Sequence, residues 1–586
     1  MMTEAETVET VETFESFLVA DCGSTHTTVV LFDVVAGVYR LIARTAVPTT
    51  ANAPWFNVAQ GVQQAISRIS EITGRKLLNE QGRLVRPVRT DGSGVDHFAA
   101  VASAAQPLDV LLVGLFDEVS IASARRALRS VYHHEKDHIT LSDQRPPHEQ
   151  VGAVVQAQPD LVFITGGTDG GAEDRLLQVI ESVGLGMSVI SNSHEPQVIF
   201  AGNIRLRERV QNMLSEYANV QMANNLRPTL ETEQLDDAIR LVTDLYEELK
   251  INALPGVQEL RDWSSYPILP TARAFGSVCH YLAALQKQPV FGVDLGSNSV
   301  SLIMATPDQA RVSIHSELGT GFPVVNLLDN VSVDEVRQWV PVEISAAETA
   351  DYIFNKSLHP FAVATDEKTL QLEQAVARTL IRCATEVAAR DASWAVVDGQ
   401  PALPPFGLLL ARGSTLANAP RPGQIVLMLL DALQPTGIFS IALDRYGVLP
   451  ALGALAAHQP LAVIQTLEAG VLSDLGWVIA PTGKGQLGRK ALDVTIESDQ
   501  ISFEGEIEFG KIEIFPIAPG KSAKVAVKPT SRFDIGFGMG QGKTMTLTGG
   551  LVGGLVIDAR GRPFTLPRDV ADRRSLMRKW LWDMGG

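Results

Sequence analysis

Two short turns carry the residue types best suited to binding a phosphate group. Each reads Asp-x-Gly-Ser, first at Asp21–Ser24 and again at Asp294–Ser297. Glycine leaves backbone N–H groups accessible, and hydroxyl side chains add donors that can converge on an anion. An aspartate at the end of a strand can hold a hydrated magnesium ion through water. The candidate phosphate-binding residues, with both aspartates as candidate metal ligands, are Asp21, Gly23, Ser24, Thr25, Thr27, Asp294, Gly296, Ser297 and Ser299.

The two turns lie in passages of similar sequence. FLVADCGSTHTTVVLF begins at Phe17, and VFGVDLGSNSVSLIMA begins at Val290. Each passage contains an apolar strand, the turn and a second strand, and the two aspartates are 273 residues apart. That offset predicts an internal duplication at the scale of a domain. Two such turns facing each other across a cleft would bind the β- and γ-phosphates of one nucleotide. The alternative for each turn taken alone is an ordinary β-turn.

A third glycine-rich segment, Thr165–Gly171, follows an apolar run over Leu161–Ile164 and precedes a helical pattern. Glycines allow the backbone to approach a ligand closely, and a helix N-terminus adds a positive dipole end. The alternative is a strand-to-helix turn in which Asp169 caps the helix. If the segment binds a ligand, the contacting residues are Gly166, Gly167, Thr168 and Asp169.

Three further segments admit a structural interpretation beside a functional one. Gly319-Thr320-Gly321 is either another phosphate-side loop or the start of a helix. Arg227 precedes an amphipathic helix and is either a phosphate or partner ligand or an ordinary loop residue. Gly538–Thr544 resembles a P-loop, but Phe537 stands where that motif requires its first glycine. A β-turn is therefore favoured for this last segment.

Alternating strand and helix patterns surround these segments. Apolar runs at Phe17–Ala20 and Val29–Asp33 flank the first turn, and helical spacing follows from Asn57 to Thr73. Strand and helix patterns go on alternating after each of the two similar passages, which predicts a mixed α/β fold with sheets covered by helices. Beyond Asp474 the chain becomes rich in Val, Ile, Thr and Gly with period-two stretches, a pattern typical of an antiparallel sheet.

These patterns divide the chain into four predicted regions. Residues 1–16 are expected to be a disordered acidic tail. Residues 17–288 form the first α/β half with insertions, and residues 289–477 form the second half. Residues 478–586 form a C-terminal β-rich domain that ends in a basic helix, Val570–Trp582.

Composition excludes several classes of protein. The 586 residues carry a formal net charge of −17, so neither nucleic acid nor an anionic membrane is expected as a partner. Three widely spaced cysteines disfavour a disulfide framework. With no signal-peptide pattern and no run of about 18 apolar residues, a soluble cytoplasmic protein is expected. No metal-ligand spacing joins the histidines, and a charged surface position is expected for His133, His134 and His138.

Six strings resemble the glutamate mutase accessory proteins known as MutL or GlmL, which are similar to the wider actin-like ATPase superfamily of acetate and sugar kinases, heat-shock chaperones and actin. The strings are ADCGSTHTTVVLFDVVAGVYRLIARTAVPTT, FITGGTDGGAEDRLLQVI, FAGN, NNLRPTLE, YPILPTARAFG and LLDALQPTGIFSIALDRYGVLPALGALA. The resemblance implies duplicated, ribonuclease H-like halves around a nucleotide cleft, with ATP and magnesium as cofactors. It also implies an ATP-dependent reactivating or chaperone factor whose partner is an adenosylcobalamin-dependent mutase.

The sequence departs from that family pattern at phosphate-facing positions. Thr28 stands where the family has a lysine, and Ser301 stands where it has an aspartate. The expected Gly-Gly beneath the adenine is Gly413-Ser414. Because each missing group stabilises charge in phosphoryl transfer, at most slow ATP hydrolysis is expected. The alternatives are a degenerate scaffold that does not hydrolyse ATP and a small-molecule kinase of the same superfamily.

Overall fold

The computed structural model describes residues 15–190, 195–397, 399–498 and 502–585. The acidic tail expected over residues 1–16 lies outside the described residues except for Glu15 and Ser16. The described chain forms two compact units. The first comprises the residues up to Ala104 together with Leu254–Ala274 and Val448–Val471, and the second comprises Ala105–Ala253, Phe275–Gly447 and the residues from Leu472 onward.

The first unit begins with a three-stranded meander followed by a helix and a fourth strand. These elements are β1 (Phe17–Cys22), β2 (His26–Val35), β3 (Val38–Pro48), α1 (Val58–Thr73) and β4 (His97–Ala102). Helix α1 forms where the apolar spacing predicted it, because its buried residues recur on one face. The Asn57 side chain caps its first turn by accepting from the Ala59 N–H, and Gly74 ends it at φ 71°.

A separate parallel sheet is inserted after β4 and belongs to the second unit. Its elements are β5 (Leu108–Val113), α2 (Ala122–Leu128), β6 (His133–Ile139), α3 (Pro147–Ala157), β7 (Leu161–Gly166), α4 (Asp174–Ile190), β8 (Gln197–Gly202), α5 (Arg207–Leu214), β9 (Asn219–Met222) and α6 (Asp236–Tyr246). The strand order is β6-β5-β7-β8-β9, with every pair parallel. This is a doubly wound sheet in the order 2-1-3-4-5.

The chain then completes the sheet of the first unit. The next elements are α7 (Val257–Trp263), β10 (Leu269–Pro270) and α8 (Thr271–Gln286), the last of which continues into the second unit. The completed sheet has the order β3-β2-β1-β4-β10. Strands β1 to β3 pair antiparallel, whereas β4 pairs parallel with both β1 and β10.

The second half repeats this plan within the second unit. Its elements are β11 (Val290–Leu295), β12 (Val300–Ala305), β13 (Ala310–His315), α9 (Leu327–Asn330), α10 (Val333–Arg337), α11 (Ala346–Leu358), α12 (Glu367–Asp391), β14 (Val396–Val397), β15 (Gln400–Pro401), β16 (Leu408–Arg412), α13 (Ser414–Ala417), α14 (Pro422–Leu433) and β17 (Gly437–Leu443). Helices α15 (Leu449–Leu455) and α16 (Pro460–Glu468) follow and belong to the first unit. The core strands run β13-β12-β11-β16-β17, again with an antiparallel meander followed by parallel strands.

The two sheets therefore share the strand order 3-2-1-4-5 and the same strand directions. This shared topology confirms the predicted mixed α/β fold with two duplicated halves. Short 3-10 and π segments join some elements, at Asp117–Ile121, Ile204–Leu206, Glu247–Ile251 and Phe322–Asn326.

The C-terminal region contains the predicted antiparallel sheet, but part of the region joins the second half. Its elements are β18 (Ser473–Ala480), β19 (Thr482–Gly483), β20 (Lys490–Glu497), β21 (Ser502–Glu508), β22 (Ile512–Pro516), β23 (Ser522–Pro529), β24 (Phe533–Asp534), β25 (Lys543–Thr548), β26 (Gly554–Asp558) and α17 (Val570–Asp583). Strands β21-β20-β23-β25 form the antiparallel sheet, while β18, β26 and β22 extend the second half's sheet to eight strands. The division into domains at residues 288 and 477 remains a prediction.

Buried charged and titratable side chains join the inserted sheet to the edge of the second half's sheet. The Ile314 N–H on β13 donates to the Arg129 carbonyl at 2.7 Å, and the Arg129 guanidinium pairs with Glu317 at 2.9 Å. His315 and His133 are both buried beside this pair. The expectation that His133 lies at a charged surface is therefore wrong, because His133, the first residue of β6, is buried.

Candidate functional site

The first turn connects β1 to β2 and is closed by its own backbone. The Gly23 N–H donates to the His26 carbonyl at 3.0 Å. A Cβ atom on Gly23 would lie 2.6 Å from that carbonyl oxygen, so the tight turn requires glycine. The Asp21 carboxylate is half-buried and accepts a hydrogen bond from the Thr271 hydroxyl at 3.0 Å. Asp21 thus lies at the end of β1, beside the start of α8.

The other predicted residues of this turn divide between the two faces of the sheet. Ser24 is buried, and the Thr25 carbonyl accepts from the Thr49 N–H at 2.7 Å. Asp21 pairs with Thr28 across the hairpin, so these two side chains share one face. Thr27 lies on the opposite face, fully buried against α1, where a Cβ on Gly61 would be 3.2 Å from its hydroxyl. The structure thus does not bring Thr27 to the face that carries Asp21.

The second turn, between β11 and β12, repeats the first closely. The Gly296 N–H donates to the Ser299 carbonyl at 2.9 Å, the equivalent of the bond between Gly23 and His26. Asp294 pairs with Ser301 across this hairpin, as Asp21 pairs with Thr28. The backbone of the turn is therefore the same in both halves.

The segment Gly319-Thr320-Gly321 is fastened to the second turn through its backbone. The Thr320 N–H donates to the Gly296 carbonyl at 3.1 Å, and the Gly321 N–H donates to the Ser297 carbonyl at 2.8 Å. A 3-10 helix starts directly afterwards at Phe322. Because these N–H groups already have acceptors, the geometry favours the helix-start interpretation over a further phosphate-side loop.

Gly413 lies where β16 passes the second turn. Its φ is 120°, and a Cβ there would be 2.2 Å from the Leu295 carbonyl oxygen. Only glycine meets both conditions without moving the backbone. Ser414 begins the short helix α13 directly after it. The structure thus places Gly413 and Ser414 beside the residues of the second turn.

Asp294 forms a buried ion pair that its residue type alone did not indicate. The Arg412 Nη1 atom lies 2.6 Å from the Asp294 carboxylate, and both side chains are about nine-tenths buried. Arg412 also stacks over the Phe275 ring at 5.9 Å, with the Asp444 carboxylate 3.9 Å from its Nε. Burial raises the pKa of Asp294, and the attraction of Arg412 opposes this rise without cancelling it.

Sequence reasoning missed Arg412, although a signal was present. Asp294 and Arg412 are paired positions on the parallel strands β11 and β16. The equivalent position in the first half is Val101, which pairs with Asp21 on β4. An alignment of the two predicted sheets, strand by strand, would have placed a guanidinium beside the second aspartate.

Polar atoms around the second turn are buried without partners. Within the described part of the chain, no hydrogen bond reaches Ser297 Oγ, Asn298 Oδ1 or Ser301 Oγ. A buried hydroxyl left unsatisfied costs about 1–3 kcal/mol, so such groups call for an explanation in a native fold. A bound group that accepts from these hydroxyls would supply one.

The third glycine-rich segment lies at a position where doubly wound sheets bind ligands. Gly166 to Asp169 follow the carboxyl end of β7, next to β5, where the order of the inserted sheet reverses. The N–H groups of Asp169 and Gly170 already donate to the Pro228 carbonyl at 3.0 Å and to the Asn203 side chain at 3.1 Å. The location favours ligand contact, whereas these two hydrogen bonds hold the loop in place without a ligand.

Asp169 does not cap α4, which begins five residues later at Asp174. Its carboxylate instead accepts from Asn225 Nδ2 at 2.8 Å and from the Ile204 N–H at 3.2 Å. Arg227 forms an ion pair with Glu233 at 3.1 Å, and its Nε donates to the Ser123 hydroxyl. The capping interpretation of Asp169 is therefore wrong, and Arg227 acts within an ion pair.

The two turns differ in how well they fit a magnesium ion. Among the described residues, no group of three or more His, Cys, Asp or Glu side chains is placed to hold a metal. A magnesium ion at either turn would therefore depend on one carboxylate, water and ligand phosphates. The Asp294 carboxylate is neutralised by Arg412, so the second turn does not fit the ion. The Asp21 carboxylate is only half-buried and accepts from the Thr271 hydroxyl, so it is the better candidate ligand.

No helix among the described residues is long and apolar enough to cross a membrane. No curated protein matches the chain.

Several solved structures show a distant likeness to the chain. An acetone carboxylase in its nucleotide-free form is 11% identical with a TM-score of 0.35, over 85% of this chain and 81% of that one. The ethanolamine utilization protein EutJ from Carboxydothermus hydrogenoformans is 7% identical with a TM-score of 0.27, over 77% and 89%. A gluconate kinase from Lactobacillus acidophilus is 8% identical with a TM-score of 0.29, over 79% and 93%.

A comparison with protein families gives a match over most of the sequence. The match runs from the first strand of the first half to the last residue of the first unit, and it includes both Asp-x-Gly-Ser turns. The family model for the MutL protein covers residues 17–471, most of the chain, and the chain therefore belongs to the MutL family.

Proposed function

We propose that this protein is a nucleotide-binding accessory factor that binds magnesium-ATP at its two Asp-x-Gly-Ser turns and reactivates an adenosylcobalamin-dependent mutase. Membership of the MutL family supports the accessory role. The observation that carries the nucleotide part is the pair of unpartnered buried hydroxyls of Ser297 and Ser301. Phosphate oxygens that accept from the two hydroxyls would offset the cost of burying them.

The two turns would contribute differently to binding. Asp21 would hold the magnesium ion through water, because its half-buried carboxylate lies at the end of β1, directly before the turn. The second turn would bind phosphate through Ser297 and Ser301, while Gly413 keeps the backbone of β16 close to the turn. Gly166–Asp169 would be a further ligand contact at the carboxyl edge of the inserted sheet. With Thr28 and Ser301 in place of charged groups, hydrolysis would be slow.

Isothermal titration of the full-length protein with magnesium-ATP tests the nucleotide part. Wild-type protein should bind, and Asp21→Ala should weaken binding by at least tenfold in the presence of magnesium. The matched control is Asp308→Ala, an exposed aspartate in the β12–β13 turn, which should bind like wild type. Absence of heat from the wild-type protein, with magnesium present, would remove the nucleotide claim.

The partner part has its own experiment. Inactivated adenosylcobalamin-dependent mutase should recover activity when this protein and ATP are both present, and should recover less with Asp21→Ala. Recovery by wild type and Asp308→Ala but not by Asp21→Ala would support the full proposal. A wild-type protein that binds ATP yet restores no mutase activity and captures no mutase would contradict the partner part alone.

One observation favours a second candidate function, a scaffold without nucleotide. The Asp294 carboxylate of the second turn already has a buried partner in Arg412, without any nucleotide. A scaffold would bind the mutase equally well with and without ATP, and the same titration would be silent. Partner binding measured by pull-down in both conditions distinguishes the two functions.

A further inference from the structure

A cluster of charged side chains is buried in the second unit, away from both turns in sequence. The Arg378 Nε donates to Asp431 at 2.8 Å, and the Arg560 Nη1 donates to the other oxygen of Asp431 at 2.7 Å. Arg560 also donates to both oxygens of Asp558, at 2.8 and 2.9 Å. Arg562 donates to Asp558 at 2.5 Å. The residues come from α12, α14, β26 and the segment after β26.

The charges in this cluster do not balance. Three arginines face two aspartates, and each of the five residues is at most 5% exposed. Arginine remains protonated in proteins, and burial of an uncompensated charge is strongly unfavourable. The pKa of Asp558 is held well below its usual range by Arg560 and Arg562 against the opposing effect of burial, so its carboxylate is charged. One positive charge is thus left without a carboxylate inside the cluster.

A small cavity adjoins Arg378 at this point. Its lining includes Trp339, Gln371, Arg378, Asp431 and Trp580, and it has room for about one water-sized sphere. Three nitrogen atoms of the lining residues are buried, and within the described ranges none has a hydrogen-bond partner. These atoms are Arg378 Nη1, Trp339 Nε1 and Trp580 Nε1. All three belong to groups that donate hydrogen bonds and cannot accept them.

We propose that this cavity binds a small monovalent anion of the chloride class. An anion accepts from all three donors and neutralises the charge that the cluster leaves uncompensated. A water molecule would satisfy some of the donors, but it would leave the excess charge and add two hydrogens that need acceptors. A monovalent anion matches the single uncompensated positive charge, whereas phosphate and sulfate would bring an excess of negative charge beside Asp431.

The proposed anion would join two distant parts of the chain. Arg378 lies on α12, in the second half, and Trp580 lies on the C-terminal helix α17. The Trp580 ring also stacks on Arg560, 4.7 Å from the guanidinium carbon to the ring centroid. A bound anion would therefore stabilise the docking of α17 against α12, and the protein would be more stable where chloride is present.

The test is thermal unfolding of the full-length protein at constant ionic strength. Sodium gluconate, whose anion is too large for the cavity, is replaced stepwise by sodium chloride. The melting temperature should rise by about 1–3 °C and reach a plateau at a low chloride concentration, as binding to the folded state requires. General salt effects would instead change roughly in proportion to concentration.

Arg378→Met removes the excess charge and the principal donor, so its melting temperature should not respond to chloride. The matched control is Arg390→Met, an exposed arginine on the same helix, which should keep the full response. A wild-type melting temperature that ignores chloride would overturn the proposal. So would a response of equal size in Arg378→Met.

A second measurement uses the wild-type protein alone, so it does not depend on whether a variant folds. Wild-type crystals soaked in sodium bromide should show an anomalous peak within hydrogen-bond distance of Arg378 Nη1 and the two indole nitrogens. A water molecule at that position, with no anomalous signal there, would overturn the proposal even if bromide bound elsewhere on the surface.

Discussion

The two Asp-x-Gly-Ser turns have the same backbone but different charge environments. Each is closed by an N–H···O bond from its glycine to the residue three positions on, at 3.0 Å for Gly23 and 2.9 Å for Gly296. Asp21 accepts a hydrogen bond from the neutral Thr271 hydroxyl, whereas Asp294 is buried against the Arg412 guanidinium. After the duplication, the steric demands of the turn were kept in both copies while the electrostatics diverged.

The divergence has a physical basis in the neighbouring parallel strand. Position 101 on β4 is valine, and the equivalent position on β16 is Arg412. A carboxylate buried as deeply as Asp294 needs a compensating cation, whereas Asp21 is only half-buried and loses less of its hydration. One turn therefore keeps a carboxylate suited to a metal ion, and the other has used its carboxylate for an internal ion pair.

The largest loss of stability is expected from Arg412→Met, which removes the ion pair that distinguishes the second turn from the first. Removal of the guanidinium leaves Asp294 buried and uncompensated, which should destabilise the second unit by about 3–5 kcal/mol. Urea unfolding followed by tryptophan fluorescence reports on this unit, because most of the tryptophans lie in it. The double variant Asp294→Asn/Arg412→Met should recover part of the loss, since the Asp294 charge is gone while the buried Asp444 carboxylate, 3.9 Å from Arg412, remains. A single variant within about 1 kcal/mol of wild type would show that the ion pair does not distinguish the turns.

A second test concerns His133, the buried histidine on β6 of the inserted sheet. Burial, followed by the nearby charge of Arg129, lowers the pKa of His133 from 6.5 to about 4. The unfolded chain takes up a proton below pH 6.5 and the folded chain does not until about pH 4. The stability of the second unit should therefore be complete above pH 6.5 and fall by up to about 3 kcal/mol as the pH drops to 4.

His133→Asn should flatten that part of the pH profile, because the amide can still donate to the Val131 carbonyl but does not titrate. The control is His134→Asn at the exposed neighbouring position, which should leave the slope unchanged. Urea unfolding at half-unit pH steps measures both. Equal slopes in wild type and His133→Asn would contradict the assignment of the acid sensitivity to this residue.

Gly23 and Gly296, the equivalent glycines of the two turns, allow the steric demands of the two backbones to be compared. A Cβ on Gly23 would lie 2.6 Å from the His26 carbonyl oxygen, and one on Gly296 would lie 3.0 Å from the Ser299 carbonyl oxygen. Gly23→Ala should therefore cost about 2 kcal/mol, and Gly296→Ala about 1 kcal/mol. Thermal unfolding of the two variants measures this order. A larger loss in Gly296→Ala would mean that the first turn is the more adaptable of the two.

The duplication could be predicted from the sequence because both copies keep the features that determine backbone shape. Apolar strands around the Asp-x-Gly-Ser turns predict the hairpins, and the spacing of Val58, Val62, Ile66 and Ile69 predicts α1. The structure confirms these elements and shows the same strand order in both halves. Local patterns are sufficient here because period and turn chemistry act within a few residues.

The partners of the candidate residues could not be predicted in the same way. Arg412 meets Asp294 across 118 residues of chain, and the position of Thr27 beneath Gly61 depends on how α1 packs. Asp169 looked like a helix cap because its true partner, Asn225, lies 56 residues away. Each of these contacts is set by tertiary packing, to which propensity and periodicity do not respond.

The smallest loss of stability is expected at the first turn, when the hydrogen bond from Thr271 to Asp21 is removed. Thr271→Val removes the hydroxyl that donates to Asp21 while keeping the shape of the side chain, and the half-buried carboxylate can turn to water instead. The first unit should lose about 1 kcal/mol, the usual net contribution of one hydrogen bond, as measured by hydrogen exchange of the β1 amides. The control is Thr306→Val, which removes an exposed hydroxyl in the β12–β13 turn of the second half and should leave the β1 amides unchanged. A loss of 3 kcal/mol or more in Thr271→Val, comparable to that of Arg412→Met, would mean that Asp21 depends on its neighbours as strongly as Asp294 does, and the proposed division of roles between the turns would then be wrong.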